Sequence, residues 1–197
     1  MIRITGGEFR GRLLKTPPGK KTRPSHSMLR QALYNSIQTR LSGARVLDLF
    51  SGSGALGFEA LSRGAKEVVF VESSSGAIGA IKENIKILKV ESQCQLIPFP
   101  IDRARKKLSE SEAFDLVLAD PPYHEGWEFW MFDQIPWSKV INKGGLFCVE
   151  WYKKDRLLPE RFEPPCGEEE SPSTLVLQKV REKNYGESWL TTYERTV

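Results

Sequence analysis

The chain has 197 residues and a mass of 22.4 kDa, with 40% hydrophobic and 27% charged residues. Those proportions exclude a disordered, collagen-like or membrane-embedded chain, and the length favours a single domain with a sizeable core. Lys and Arg number 29 against 25 Asp and Glu, a net +4, but the charge is unevenly spread. Residues 1–45 hold ten cations (Arg3, Arg10, Arg12, Lys15, Lys20, Lys21, Arg23, Arg30, Arg40 and Arg45) against Glu8 alone, a net +9. The other 152 residues hold 19 cations and 24 acids, a net −5. A basic arm on a mildly acidic body points to a polyanionic partner; the alternative is a solvated basic face.

In chain order, Ile2–Thr5 and Leu13–Lys15 flank Gly6-Gly7 and Gly11, the pattern of a small hairpin or bulged ribbon. Met28, Leu29, Ala32, Leu33, Ile37 and Leu41 then fall at helical spacing after Pro24 and Ser25. That stripe packs inward, and Arg30 and Arg40 form a charged face on which function could sit. From Arg45 onward, strands are expected at Arg45–Phe50, Glu67–Glu72, Gln95–Ile97, Phe114–Ala119 and Gly145–Glu150. Helices are expected between them at Ala55–Arg63, Ser75–Leu88 and Arg103–Leu108, and a weaker one at Trp137–Ile141. Continuous apolar runs suit strands buried on both faces, and the alternation predicts a doubly wound, mostly parallel α/β sheet. Pro159–Pro172 reads as a loop. Thr174–Val180 and Ser188–Glu194 read as a C-terminal antiparallel hairpin around Lys183-Asn184-Tyr185-Gly186.

Cys94, Cys148 and Cys166 form no Cys-x-x-Cys pair, and neither a disulfide framework nor a metal site is expected. Cys148 reads as a small core residue. No run approaches the roughly 20 apolar residues of a membrane helix, and the N-terminus has no apolar signal core. The expected location is the cytoplasm.

Two segments carry chemistry. Val46–Gly57 is strand, glycine turn and helix start, and Gly52, Gly54 and Gly57 fit G-x-G-x-x-G. Glu72 follows the next strand, where a ribose-binding acid belongs. Phe50 and Ser53 complete the turn. The pyrophosphate of NAD would stand against Asp48, whereas S-adenosylmethionine brings an ammonium and a sulfonium that an acid favours. Asp48 therefore tips the reading to S-adenosyl-L-methionine; the alternative is that Asp48 caps the turn. Asp120-Pro121-Pro122-Tyr123 lies at the carboxyl end of Phe114–Ala119, the ligand side of an open α/β sheet. Two prolines stiffen the loop and present carbonyls. An Asp oxygen and a Pro carbonyl form two acceptors suited to an exocyclic NH2 group. Tyr123 offers a ring on which a base can stack, worth about 1–3 kcal/mol. A base hidden in a duplex must be single-stranded, looped or flipped out to reach such a site. This chemistry alone does not choose among guanine N2, adenine N6 and cytosine N4.

These residues together resemble the RsmD family of 16S ribosomal RNA (guanine-N2) methyltransferases. The matching segments are Ile4–Lys15, Arg23-Pro24, Ala32–Asn35, Val46–Ala65, Val68–Glu72, Asn84, Asp115–Tyr123 and Tyr185-Gly186. The resemblance implies a seven-stranded Rossmann-like methyltransferase sheet and S-adenosylmethionine as cofactor. It implies 16S rRNA or the assembling small ribosomal subunit as partner; from the sequence itself no membrane contact and no obligate protein partner are expected, and nothing demands more than a monomer. It places Asp48, Phe50, Gly52, Ser53, Gly54, Glu72 and Asp102 at the cofactor and Asp120, Pro121, Pro122 and Tyr123 in the catalytic loop. Residues 1–44 would be a basic RNA-docking extension, with Arg10, Arg12, Lys15 and Arg23 on the RNA, and residues 45–197 the methyltransferase domain. The chain departs from the family in lacking an Asp after Arg23-Pro24, in the proline-rich Pro98–Asp102 segment, and in Tyr34 where Phe is usual. The alternatives are a DNA amino-methyltransferase acting on adenine N6 or cytosine N4, and a non-catalytic RNA-binding module.

Overall fold

The computed structural model describes residues 1–17, 24–152, 157–163 and 175–196, with only the backbone of residues 24–26. The described chain forms two compact units, Met1–Ile101 and Asp102–Val197. Among the described residues no helix is long and apolar enough to cross a membrane.

The first unit opens with a two-stranded antiparallel ribbon, β1 (Ile2–Arg3) and β2 (Leu13–Leu14), followed by helix α1 (Pro24–Ser36). Three parallel strands follow: β3 (Arg45–Leu49), β4 (Glu67–Val71) and β5 (Cys94–Ile97), with β4 in the middle. Helix α2 (Ala55–Ser62) connects β3 to β4, and α3 (Ser75–Leu88) connects β4 to β5. Val46, Leu47, Leu49 and Val68–Val71 are buried, as the largely apolar sequence of strands covered on both faces requires.

The arm is not a free tail. Glu59 of α2, fully buried, accepts from the backbone N–H of Thr5 (2.9 Å) and Gly6 (2.9 Å) and from the Thr5 hydroxyl (2.7 Å). It also receives Arg63 Nε at 2.9 Å and pairs with Arg30 Nε at 3.4 Å. Ser62 donates through Oγ to the Gly6 carbonyl and accepts the Phe9 N–H, while its own carbonyl accepts the Glu8 N–H. The approach is so close that a Cβ on Gly7 (φ 75°) would lie 1.6 Å from the Ser62 carbonyl oxygen, so only glycine fits. Arg30, expected on a functional face, is instead 5% exposed and donates to the Arg3 carbonyl; its charge neutralises Glu59. Arg40 is exposed as expected, but Met28 of the expected inward stripe is 67% exposed, so the buried face of α1 begins at Leu29.

In the second unit, helix α4 (Ile101–Ser109) precedes β6 (Phe114–Ala119), which pairs in parallel with β7 (Ile141–Tyr152). Between them lie α5 (Trp127–Gln134), absent from the sequence expectation, and the short α6 (Trp137–Val140). The C-terminal hairpin of β9 (Leu177–Tyr185) and β10 (Ser188–Arg195) pairs antiparallel with β7 through β10. β9 runs five residues beyond its expected end at Val180, so the turn is Gly186-Glu187 alone, with Gly186 at φ 73°. The expected Pro159–Pro172 loop contains a two-residue edge strand, β8 (Arg161–Phe162), against β9; its residues 164–172 lie outside the described residues. The parallel α/β pattern with a C-terminal antiparallel hairpin is thus present, with all seven expected strands and this short eighth. Aromatic rings fill the core of this unit: Trp137 and Phe147 stand 4.5 Å apart between centroids, and Phe132 and Tyr193 5.1 Å. Cys148 is buried beside Thr192, as a core residue should be. Cys166 lies outside the described residues.

Candidate active site

In the first unit, the candidate segment follows β3. Backbone φ is positive at Phe50 (57°), Gly52 (56°) and Gly54 (77°), so the chain reverses within five residues and enters α2. Phe50 sits in the left-handed region without being glycine, which costs on the order of 1 kcal/mol or more. The turn is tied to the end of β4: Ser51 donates its N–H and its hydroxyl to the Val71 carbonyl, both at 3.1 Å. A Cβ on Gly54 or Gly57 would strike Phe58 or Phe70 at 2.6 and 2.3 Å, so these glycines serve helix–strand packing. At Gly52 nothing lies within 4 Å of that direction. The open side of the turn is where a ligand can approach the backbone.

Two carboxylates flank this opening. Glu72 accepts the Gly52 N–H through Oε2 (2.7 Å) and the Ser73 and Ser74 N–H groups through Oε1 (2.9 and 2.8 Å). Three backbone donors fix its direction. It is only partly buried, and its oxygens retain lone pairs for hydroxyl groups. Asp48 is fully buried. Its Oδ2 accepts the Gly57 N–H at 2.9 Å, so it does cap the turn, but Oδ1 has no hydrogen-bond partner. Burial pushes its pKa up from 3.8 to about 7, the Gly57 bond works against this, and the charge of Glu72 adds to the rise. A buried acid with an orphaned oxygen beside a second carboxylate is a poor place for a phosphate and a favourable one for a cation.

A pH effect follows. The folded pKa lies above the unfolded one, so ionising Asp48 disfavours the fold; its cost is absent below pH 4, grows between about pH 4 and 7, and is complete above that range. Asp48→Asn keeps the bond from Gly57 and removes the charge. Relative to wild type its melting temperature is expected to be unchanged near pH 4 and higher at pH 8, by an amount corresponding to a few kcal/mol, at about 1.4 kcal/mol per pKa unit. Melting curves at the two pH values check this; equal shifts at both would remove the charge from the explanation.

In the second unit, a separate candidate segment follows β6. Asp120 is half-buried, Pro121 buried, Pro122 exposed and Tyr123 half-buried. The Tyr123 hydroxyl donates to Glu150 Oε1 at 2.7 Å and shares a hydrogen bond with Ser188 Oγ at 3.0 Å. Burial pushes the phenol pKa well up, and the charges of Glu150 and Asp120 act in the same direction. Tyr123 is therefore a held ring and no base. Tyr152 packs beside it at 6.0 Å, and the His124 ring meets Tyr152 edge-on at 4.9 Å. If an RNA base stacks on this ring during methyl transfer, as the family resemblance implies, Tyr123→Phe should retain transfer within a few-fold, while Tyr123→Ala should raise the KM for RNA about ten- to a hundredfold, the worth of one base stack. Steady-state kinetics separates them, and equal losses in both variants would return the role to the hydroxyl.

Asp102 is exposed in the first turn of α4. Arg10, Arg12 and Lys15 are exposed on the arm; Arg12 donates to the Ile87 carbonyl at the end of α3 (2.8 Å). Arg23 lies outside the described residues. Sequence reasoning missed Glu59 and Glu150, and quoted Asn84 only within the family resemblance. Asn84 had a signal: it interrupts the inward stripe Ala77, Ala80, Ile81 and Leu88 of α3.

A glycine turn between two acids after parallel strands, and a stiff Asp-Pro-Pro-Tyr loop after another, define the class: the fold is that of S-adenosylmethionine-dependent methyltransferases. Residues 2–194 match the family described as Conserved hypothetical protein 95. The chain belongs to this family, the RsmD family that its motifs resemble. It is 36% identical to Ribosomal RNA small subunit methyltransferase D of Haemophilus influenzae over 163 residues, covering 82% of this chain and 84% of that protein. The solved structure of a hypothetical protein from Thermus thermophilus has a TM-score of 0.77 at 28% identity, with 100% of each chain covered. The Thermus thermophilus 16S rRNA N2 G1207 methyltransferase RsmC, solved with AdoMet and guanosine, shares the fold at TM-score 0.66 and 20% identity, with 98% of this chain and 49% of that one covered.

Proposed function

We propose that this protein transfers a methyl group from S-adenosylmethionine to the exocyclic N2 amine of a guanine in 16S rRNA, in the cytoplasm. The observation that carries the reading is the Asp120–Tyr123 loop, with two acceptors on a proline-stiffened backbone and a ring held from behind by Glu150. The identity with a ribosomal RNA small subunit methyltransferase D supports rRNA as substrate, and the resemblance to the RsmD family supports guanine N2.

S-adenosylmethionine, when bound, supplies an electrophilic methyl group on a sulfonium. Glu72, aimed by its three backbone donors, accepts from the ribose hydroxyls. Asp48 and the open side of Gly52 favour the cationic end of the ligand, and Asp102 stands on the adenine side. An exocyclic amine is a poor nucleophile because its lone pair is delocalised into the ring. The Asp120 carboxylate and the Pro121 carbonyl accept its two hydrogens, orient the lone pair and stabilise the positive charge that develops on nitrogen. The proton then leaves to Asp120 or to solvent. Residues 1–44 dock the RNA through Arg10, Arg12, Lys15 and Arg23, and residues 45–197 perform the transfer.

Incubation with labelled S-adenosylmethionine and separate pools of 16S rRNA, assembled small subunits and DNA tests this. Label is expected in N2-methylguanosine from one of the small-subunit pools. Label in N6-methyladenine or N4-methylcytosine from DNA would instead establish the DNA enzyme, and no transfer at all the non-catalytic module. Replacing Arg10, Arg12 and Lys15 by alanine should lower the slope of log affinity against log salt by about 0.7 for each phosphate that is no longer neutralised. An unchanged slope would return these residues to a solvated face.

A further inference from the structure

Asn84 is fully buried on the inward face of α3. A buried carboxamide needs partners for its oxygen and for both hydrogens, and Asn84 finds them in two distant segments. Its Oδ1 accepts the Lys15 N–H at 2.7 Å, and its Nδ2 donates to the Lys15 carbonyl at 3.0 Å and to the Ser53 carbonyl at 3.0 Å. The two bonds to Lys15 hold its backbone as a neighbouring strand would. The third ends between Gly52 and Gly54, in a turn whose glycines offer no side chain to anchor it. One planar group thus joins the arm to the glycine turn, although Lys15 lies 69 residues and Ser53 31 residues from Asn84. The Lys15 side chain itself is exposed and free to meet a phosphate.

We propose that Asn84 is a positioning residue that couples RNA docking on the arm to cofactor binding in the glycine turn. The proposal rests on the reading above, in which Lys15 contacts RNA and the Gly52–Gly54 turn holds the cofactor. RNA docked along the arm, through Arg10 and Arg12 as well as Lys15, and cofactor seated in the turn both favour the arrangement in which all three bonds are made. Because binding free energies are linked, each ligand tightens the other by the same factor.

The test is the dissociation constant of S-adenosylhomocysteine for the full chain, measured by calorimetry with and without saturating 16S rRNA transcript. For wild type, RNA is expected to tighten it about five- to tenfold, the lower end of usual coupling factors. Asn84→Asp keeps the size and the acceptor for the Lys15 N–H but turns an oxygen toward two carbonyls; its ratio is expected to fall to about one. Lys15→Ala removes the charge and leaves the three bonds, so RNA binds more weakly but the ratio persists. Should Asn84→Asp fail to fold by circular dichroism, Lys15→Pro deletes the N–H from the arm side and should likewise abolish the ratio. A wild-type ratio of one overturns the coupling, as does a folded variant without these bonds that keeps the wild-type ratio. Loss of the ratio in Lys15→Ala also overturns it, because the charge rather than the amide would then carry the effect. Failure of wild type to bind the RNA or S-adenosylhomocysteine at all would overturn the proposed function itself, which keeps the two failures distinct.

Discussion

Asp120→Ala is expected to slow methyl transfer about 100–1,000-fold at saturating cofactor and RNA, the usual cost of one preorganised electrostatic group. Asp120 leaves the end of β6 on a backbone locked by Pro121 and Pro122, so the loop has little freedom to recruit another acceptor. In the proposed mechanism, removing the carboxylate leaves the amine one fixed acceptor and removes a negative charge that stabilises the nitrogen as it becomes cationic. The glycine turn and Glu72 hold each other through bonds within their own unit, so the affinity for S-adenosylhomocysteine should change less than about threefold, under 1 kcal/mol. Single-turnover kinetics beside a calorimetric titration reads both quantities. Transfer at the wild-type rate would remove Asp120 from the chemistry. A parallel collapse of cofactor affinity would show that the loop serves binding rather than reaction.

Glu59→Ala is expected to destabilise the protein by about 3–5 kcal/mol, the range for removing one partner from a buried ion pair. Glu59 is enclosed, and its loss leaves Arg30 at 5% exposure without the charge it neutralises, and the Thr5 and Gly6 N–H groups without their acceptor. The damage should concentrate where the arm meets α2. In the variant, hydrogen exchange at Thr5, Gly6 and Phe9 should accelerate before that of β3 and β4. Because the same bonds hold the ribbon that carries Arg10 and Arg12, RNA affinity should fall with docking. A urea-unfolding loss below about 1 kcal/mol would show that the arm is held elsewhere.

Much of this architecture was legible before any coordinates. The strands β3, β4 and β6 begin and end within a residue of their expected limits, because Val-, Leu- and Phe-rich runs between polar turns have one stable use in an α/β chain. The reversal at Gly186 and the helix α3 were equally legible, since turn glycine and helical periodicity are local signals. Helix α5 was missed because Trp127–Gln134 is apolar on several sides and carries no clean 3.6-residue period. Its Phe132 ring packs against Phe147 and Tyr193, which no short window contains. β9 outran its expected end because Lys183-Asn184-Tyr185-Gly186 reads as the turn, whereas Arg181, Glu182 and Lys183 are charges well placed on a ladder near a sheet edge.

The site divides in the same way. Residue order by itself determined the glycine turn, the acid after the next strand, the stiff acceptor loop and the basic arm. Glycine and proline constrain φ where they stand, and a strand end dictates which side of a sheet a loop occupies. Only the tertiary structure decided what the charges are for. Of the cations in the arm, Arg30 is turned inward to neutralise Glu59 while Arg10 and Lys15 stay in solvent. Asp48 is at once the cap of its turn and a buried acid with an unpartnered oxygen. Tyr123 has its hydroxyl engaged and its ring fixed. Asn84 joins segments 69 residues apart. A polar side chain takes its role from the desolvation it suffers and the partners that relieve it, and those partners come together only when the chain has folded.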